Sequence, residues 1–187
     1  MTPTREPAGN FPLTGVKNLP HVSVAFPGEH WSNCVASGSI MPGEAIVAAG
    51  SANTRGQAMF RTANAGDSLA ALNIALRPID VPDPNNGPTA LGPNEIRNKV
   101  MLAGDYVHRY RSGGFNLTLV DPRRVYTPGM TIGWDADGQR PAGVEGAGSW
   151  APDANADIDA FFEIQQVTKV GSVGEVILKV TSTRTQM

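Results

Sequence analysis

Apolar and polar residues alternate along this chain in short runs, and glycine and proline cut the runs at frequent intervals. That is the pattern of an all-β domain with many turns. The stretch GDYVHRYRSGGFNLTLV, residues 104–120, shows it most fully. Gly113-Gly114 reads as a two-residue hairpin turn, a geometry that needs positive φ at both centres. The register then sets Tyr110 opposite Leu117 and His108 opposite Leu119. Tyr106, His108, Tyr110, Phe115, Leu117 and Leu119 share an apolar face.

A second hairpin closes the chain. In EVILKVT, Val176, Leu178 and Val180 point one way and Glu175, Ile177, Lys179 and Thr181 the other. Its partner AFFEIQQVTKV slips phase at Gln165-Gln166, which a β-bulge reconciles. Further strands are expected at 45–49, 57–62 and 131–134. GDSLAALNIALRP fits two descriptions: a short helix capped by Asp67 or Ser68, or a strand with Leu72, Ile74 and Leu76 on one face. A short helix is expected to begin near Asn94, after a long loop over 81–95. Pro42-Gly43 and Pro128-Gly129 read as type II corners, proline presetting φ and glycine accepting the positive φ that follows.

Residues 1–33 differ. Phe11, Leu13, Val22, Val24, Phe26 and Trp31 are spaced apolar anchors interrupted by Pro7, Pro12, Pro20 and Pro27. Proline excludes helix over most of this length. An extended N-terminal arm over 1–33, followed by a single β-rich domain over 34–187, is the expected organisation. The arm has two placements open to it, on its own domain or across to a neighbour.

Composition narrows the function classes. Fifteen basic against seventeen acidic side chains give a net charge of −2, without the clustered positive charge of a nucleic-acid face or a polybasic membrane anchor. Cys34 is the single cysteine, so no intrachain disulfide forms, and it reads as a small buried apolar residue. The N-terminal MTPTREPAGNFP carries no apolar signal core, and no run is long enough to span a bilayer as a helix. A soluble protein made in a cytoplasm is expected.

Candidate chemistry is sparse. His108 lies on the apolar hairpin face, and His21 and His30 lie in the arm without a carboxylate or hydroxyl at a motif-like offset. No nucleophile-elbow, zinc, Walker or dinucleotide fingerprint occurs. Asp153, Asn155, Asp157 and Asp159 alternate like the first half of a calcium loop. Ile158 and Ile164 stand where that loop needs glycine and a bidentate glutamate, so a solvated acidic turn is the better reading. Trp134 and Trp150 flank a glycine-rich loop. Exposed they would stack on sugar rings, and packed beneath the loop they are core, the reading favoured in a chain with few aromatics. No catalytic residue, metal site or cofactor is assigned.

The succession GSIMPGEAIVAAG, ANAGDSLAAL, VYTPGMTIGWDADGQ and FFEIQQVTKV…EVILKVTS resembles the small β-rich decoration, or cement, proteins of tailed-bacteriophage capsids. The resemblance implies a mainly β fold, a sandwich, jelly roll or barrel-like domain. It also implies a non-enzymatic virion protein, commonly trimeric, that clips over joints between major capsid protein subunits. The arm anchors named above are then the expected partner-binding residues. A carbohydrate- or ligand-binding β-module of a phage tail or cell-surface protein is the alternative.

Overall fold

The computed structural model describes residues 19–78, 98–141, 144, 148–169 and 176–183, and among these eleven strands form two sheets. The strands are β1 Val22–Pro27, β2 His30–Ala36, β3 Ala45–Ala52, β4 Ala58–Thr62, β5 Asn73–Leu76 and β6 Tyr106–Tyr110. They continue with β7 Gly113–Leu117, β8 Thr131–Asp135, β9 Ser149–Pro152, β10 Ile158–Lys169 and β11 Val176–Ser182. Strands β2-β4-β3-β5-β6 close a barrel, and β1-β7-β11-β10-β8-β9 form a six-stranded sheet. The mainly β, barrel-like expectation is met. No helix among the described residues is long and apolar enough to cross a membrane.

The expected hairpin over residues 104–120 does not form. β6 pairs with β2 and β5 in the barrel, whereas β7 pairs with β1 and β11 in the sheet. The physical reason lies in the two glycines. Only Gly113 has positive φ (129°), so the two-residue turn is not made. Instead two chain segments cross from barrel to sheet side by side. The ladder His30↔Tyr110 continues across the crossing as Pro27↔Gly113. Gly114 leaves room for the Phe26 ring, and Gly28 for the Ser112 carbonyl; a Cβ at either would overlap them. The crossing is stitched by Arg111 N–H donating to the Glu29 carbonyl (2.8 Å) and Glu29 N–H donating to Ser112 Oγ (2.9 Å).

The apolar face assigned to β6 is corrected with it. Val107 is the fully buried residue of that strand, while Tyr106 is exposed and Tyr110 half-buried. A barrel strand places its alternate residues inward, and Val107, not the aromatics, fills the inside. Tyr110 packs its edge on Phe115 (5.7 Å), in the neighbouring core.

The C-terminal pair is as expected. β10 and β11 are antiparallel from Phe162↔Ser182 to Lys169↔Val176, with the register shift between Ile164 and Gln166. A second irregularity falls between Ile158 and Phe162, where Ala160 takes φ 50°. It lets the consecutive Phe161 and Phe162 both reach Trp150, at 5.4 and 4.9 Å between rings. GDSLAALNIALRP resolves into both of its descriptions in series. Ser68 Oγ caps a 3-10 turn at Leu69–Ala71, and β5 follows. The loop over 81–95 and most of the helix expected from Asn94 lie outside the described residues.

Both Pro-Gly corners form. Glu44 N–H donates to the Met41 carbonyl (3.1 Å) and Met130 N–H to the Thr127 carbonyl (3.2 Å), with positive φ at Gly43 and Gly129. The first corner does more than turn the chain, since the Gly43 carbonyl accepts the Trp150 indole N–H (2.8 Å). Trp134 Nε1 likewise donates to the Ala63 carbonyl (3.1 Å). Both tryptophans belong to the sheet and both acceptors to the barrel end, so each indole ties the two bodies together while filling the core.

Candidate interaction surface

The described part of the expected arm is strand. Residues 22–27 are β1, hydrogen-bonded to β7, and His30 through Asn33 open the barrel strand β2. Val22 is thereby part of the main core and leaves the list of surface anchors. Phe11 and Leu13 lie outside the described residues. Val24, Phe26 and Trp31 remain at the surface, at 36, 46 and 37 % exposure. They lie on one continuous segment, here called the finger, which runs from the distal half of β1 through the bend at Gly28 into the first half of β2.

This finger is held in place from beneath. The Arg109 guanidinium lies 3.9 Å from the centroid of the Trp31 ring and 4.7 Å from that of Phe60. A cation over an aromatic face is stabilised by the ring quadrupole. Arg109 is thus a clamp between an exposed indole and a buried barrel phenyl. On the neighbouring pair, His30 stacks on Tyr110 at 4.9 Å. The pattern along the chain gives no sign of this support, because it comes from the pairing of Trp31 in β2 with Arg109 in β6, which alternation does not specify.

A buried polar joint lies between the barrel and the sheet. Arg140 Nη2 and Glu44 Oε1 form an ion pair with side chains only 3 and 6 % exposed. Glu44 Oε2 also accepts the Met41 N–H (3.0 Å) and the Thr62 hydroxyl (2.7 Å). A buried carboxylate persists only when paired and hydrogen-bonded, and Glu44 meets both conditions. His21 is buried close by, its N–H donating to Asn98 Oδ1 (2.7 Å) while its ring Nδ1 meets no partner. Burial lowers its pKa to about 4, and the charge of Arg140 adds to the shift. The imidazole is therefore neutral at neutral pH.

The acidic residues serve the backbone. Asp153 Oδ1 accepts the Ala160 N–H (2.6 Å), and its other oxygen accepts the Thr131 hydroxyl. Asp157 accepts the Ala136 N–H (2.9 Å). Burial raises the pKa of Asp135, and repulsion from Asp157, Asp121 and Asp137 adds to it. Among the described residues no group of three or more His, Cys, Asp or Glu side chains converges on a metal position. Asp121, fully buried, is a different case. Burial raises its pKa, but the bonds from Arg123 and the charges of Arg123 and Arg124 outweigh that and hold it below the usual range. It anchors the loop that carries Arg123, Arg124 and the exposed Val125.

No protein family, curated protein or solved structure matches this chain.

Proposed function

We propose that this chain is a non-enzymatic structural protein of a tailed-phage virion, which binds the assembled capsid at joints between major capsid subunits. The observation that carries the reading is the clamped finger. Phe26 and Trp31 stand exposed on a body whose two sheets are tied by two indole hydrogen bonds and a buried ion pair. A preorganised apolar surface loses little freedom when it docks, which suits binding more than turnover. Aromatic anchors of this kind dominate the energetics of protein contacts.

Binding restricted to the expanded shell stabilises that shell by linkage, and repetition over a lattice lets each contact be modest. Phe11 and Leu13, upstream of the finger in sequence, are the further partner-binding residues in this reading. The carbohydrate-module alternative rested on Trp134 and Trp150 as exposed platforms. Both are fully buried with their indole N–H groups engaged, so nothing favours it.

Co-sedimentation with expanded capsids of the cognate phage tests the proposal. The full chain is expected to pellet with shells and not with unexpanded procapsids. Phe26→Asp and a chain lacking residues 1–18 are each expected to lose binding while keeping the native circular dichroism spectrum. Failure of the intact chain to bind expanded shells would refute the reading.

A further inference from the structure

We propose that the outer side of β1 is a self-association edge, pairing antiparallel with the same strand of a second copy. β1 ends the six-stranded sheet, and among the described residues no strand pairs with its outer side. In an antiparallel ladder each residue bonds its neighbour through alternate positions. The His21 carbonyl accepts from Thr118 N–H (3.0 Å), so Val22 and Val24 turn their amide and carbonyl groups to the open side.

The side chains on this edge are unusual for the six-stranded sheet. Val24, Ala25, Phe26 and Pro27 are all exposed, and no residue from His21 to Pro27 carries a formal charge at neutral pH. In the other strands of that sheet the exposed positions are polar, as at Asp159, Glu163 and Gln165 of β10 and Lys179 of β11. Edge strands that must stay single are normally guarded by charge, and β1 has none along its ladder. The bulge after Val24 and Pro27 are the two guards this edge does carry, and they limit the open ladder to residues 22–25.

The occupant follows from the other edges. The barrel is closed and offers no edge. β9, at the far end of the sheet, is already lined by residues 119–121: Trp150 N–H donates to the Leu119 carbonyl (3.0 Å), and Asp121 N–H donates to that of Trp150 (2.9 Å). A head-to-tail ring built by sheet continuation needs two open edges, so this route does not yield the trimer that the resemblance implies. One open edge with an uncharged, self-complementary face meets its own copy across a two-fold axis. Centring that axis on Val24 sets Val24 against Val24 and Ser23 against Ala25.

The inference is independent of shell binding, because its test uses the purified chain alone. Native mass by light scattering over a range of concentrations is expected to report a dimer. Val24→Lys and Val24→Glu, each placing like charges across the axis, are expected to halve that mass while keeping the native circular dichroism spectrum. Mixing the two variants restores the dimer, since lysine then faces glutamate. A wild-type monomer at every concentration, a wild-type trimer, or a dimer that survives either charge variant would each overturn the proposal.

Discussion

The barrel encloses a small core whose largest members are Phe60, Met101, Ile40 and Ile46, while the six-stranded sheet buries Trp134, Trp150, Phe115, Phe161 and Phe162. Closure accounts for the difference. A five-stranded barrel has room for little inside, so Cys34, Ala36 and Ala75 suffice there, and hydrogen bonding around the ring leaves no edge. The sheet is open and must be covered on its inner face, which takes large aromatics. The two bodies share one seam, where the sheet's tryptophans reach the barrel's carbonyls. Stability is therefore expected to concentrate at the seam and the sheet, and recognition at the finger where the chains cross.

The seam is the place to break that division. Trp150→Ala removes ring contacts to Trp134, Phe161 and Phe162 together with the Gly43 bond, and is expected to cost about 3–5 kcal/mol in urea unfolding. Glu44→Ala removes the carboxylate of the buried ion pair with Arg140, with an expected loss of about 3–5 kcal/mol. Replacing both partners by Leu and Met is expected to recover most of that loss, because the desolvation cost disappears with the charges. Equal destabilisation by the single and double variants would show that packing, not charge, sets the value of the joint.

Acid acts on the same place. His21 has its pKa lowered to about 4 in the folded protein, chiefly by burial. The unfolded chain then binds a proton that the folded chain does not, so this contribution is whole above about pH 6.5 and is lost as pH falls from there to about 4. The loss amounts to roughly 3 kcal/mol across that window. The check is the urea midpoint against pH, where His21→Gln is expected to flatten this part of the profile. Within the barrel the effects are smaller. Ile46→Val is expected to cost about 1 kcal/mol, the value of one buried methylene. Trp31→Ala, at the finger, is expected to shift stability by less than about 1 kcal/mol while weakening shell binding.

Strand positions were legible in the sequence wherever alternation met a turn signal. β3, β4, β8, β10 and β11 all fall where the pattern put them, and so does the bulge near Gln165. The Gly113-Gly114 pairing was not legible, because alternation fixes which residues share a face but not which strand lies alongside. A glycine pair serves a crossing as well as a hairpin, and the overlaps that require glycine at 28 and 114 come from Ser112 and Phe26, set by the fold. Of the expected anchors, Val24, Phe26 and Trp31 are at the surface and Val22 is core. The joint left no trace in the pattern: Glu44 and Arg140 are 96 positions apart and belong to no motif.

The central claim is that barrel and sheet form one mechanical unit that presents the finger rigidly. Differential scanning calorimetry tests it most directly, through the ratio of calorimetric to van't Hoff enthalpy. One transition with a ratio near unity is predicted for the intact chain, separating into two for Trp150→Ala. Two resolved transitions in the intact chain would contradict the claim.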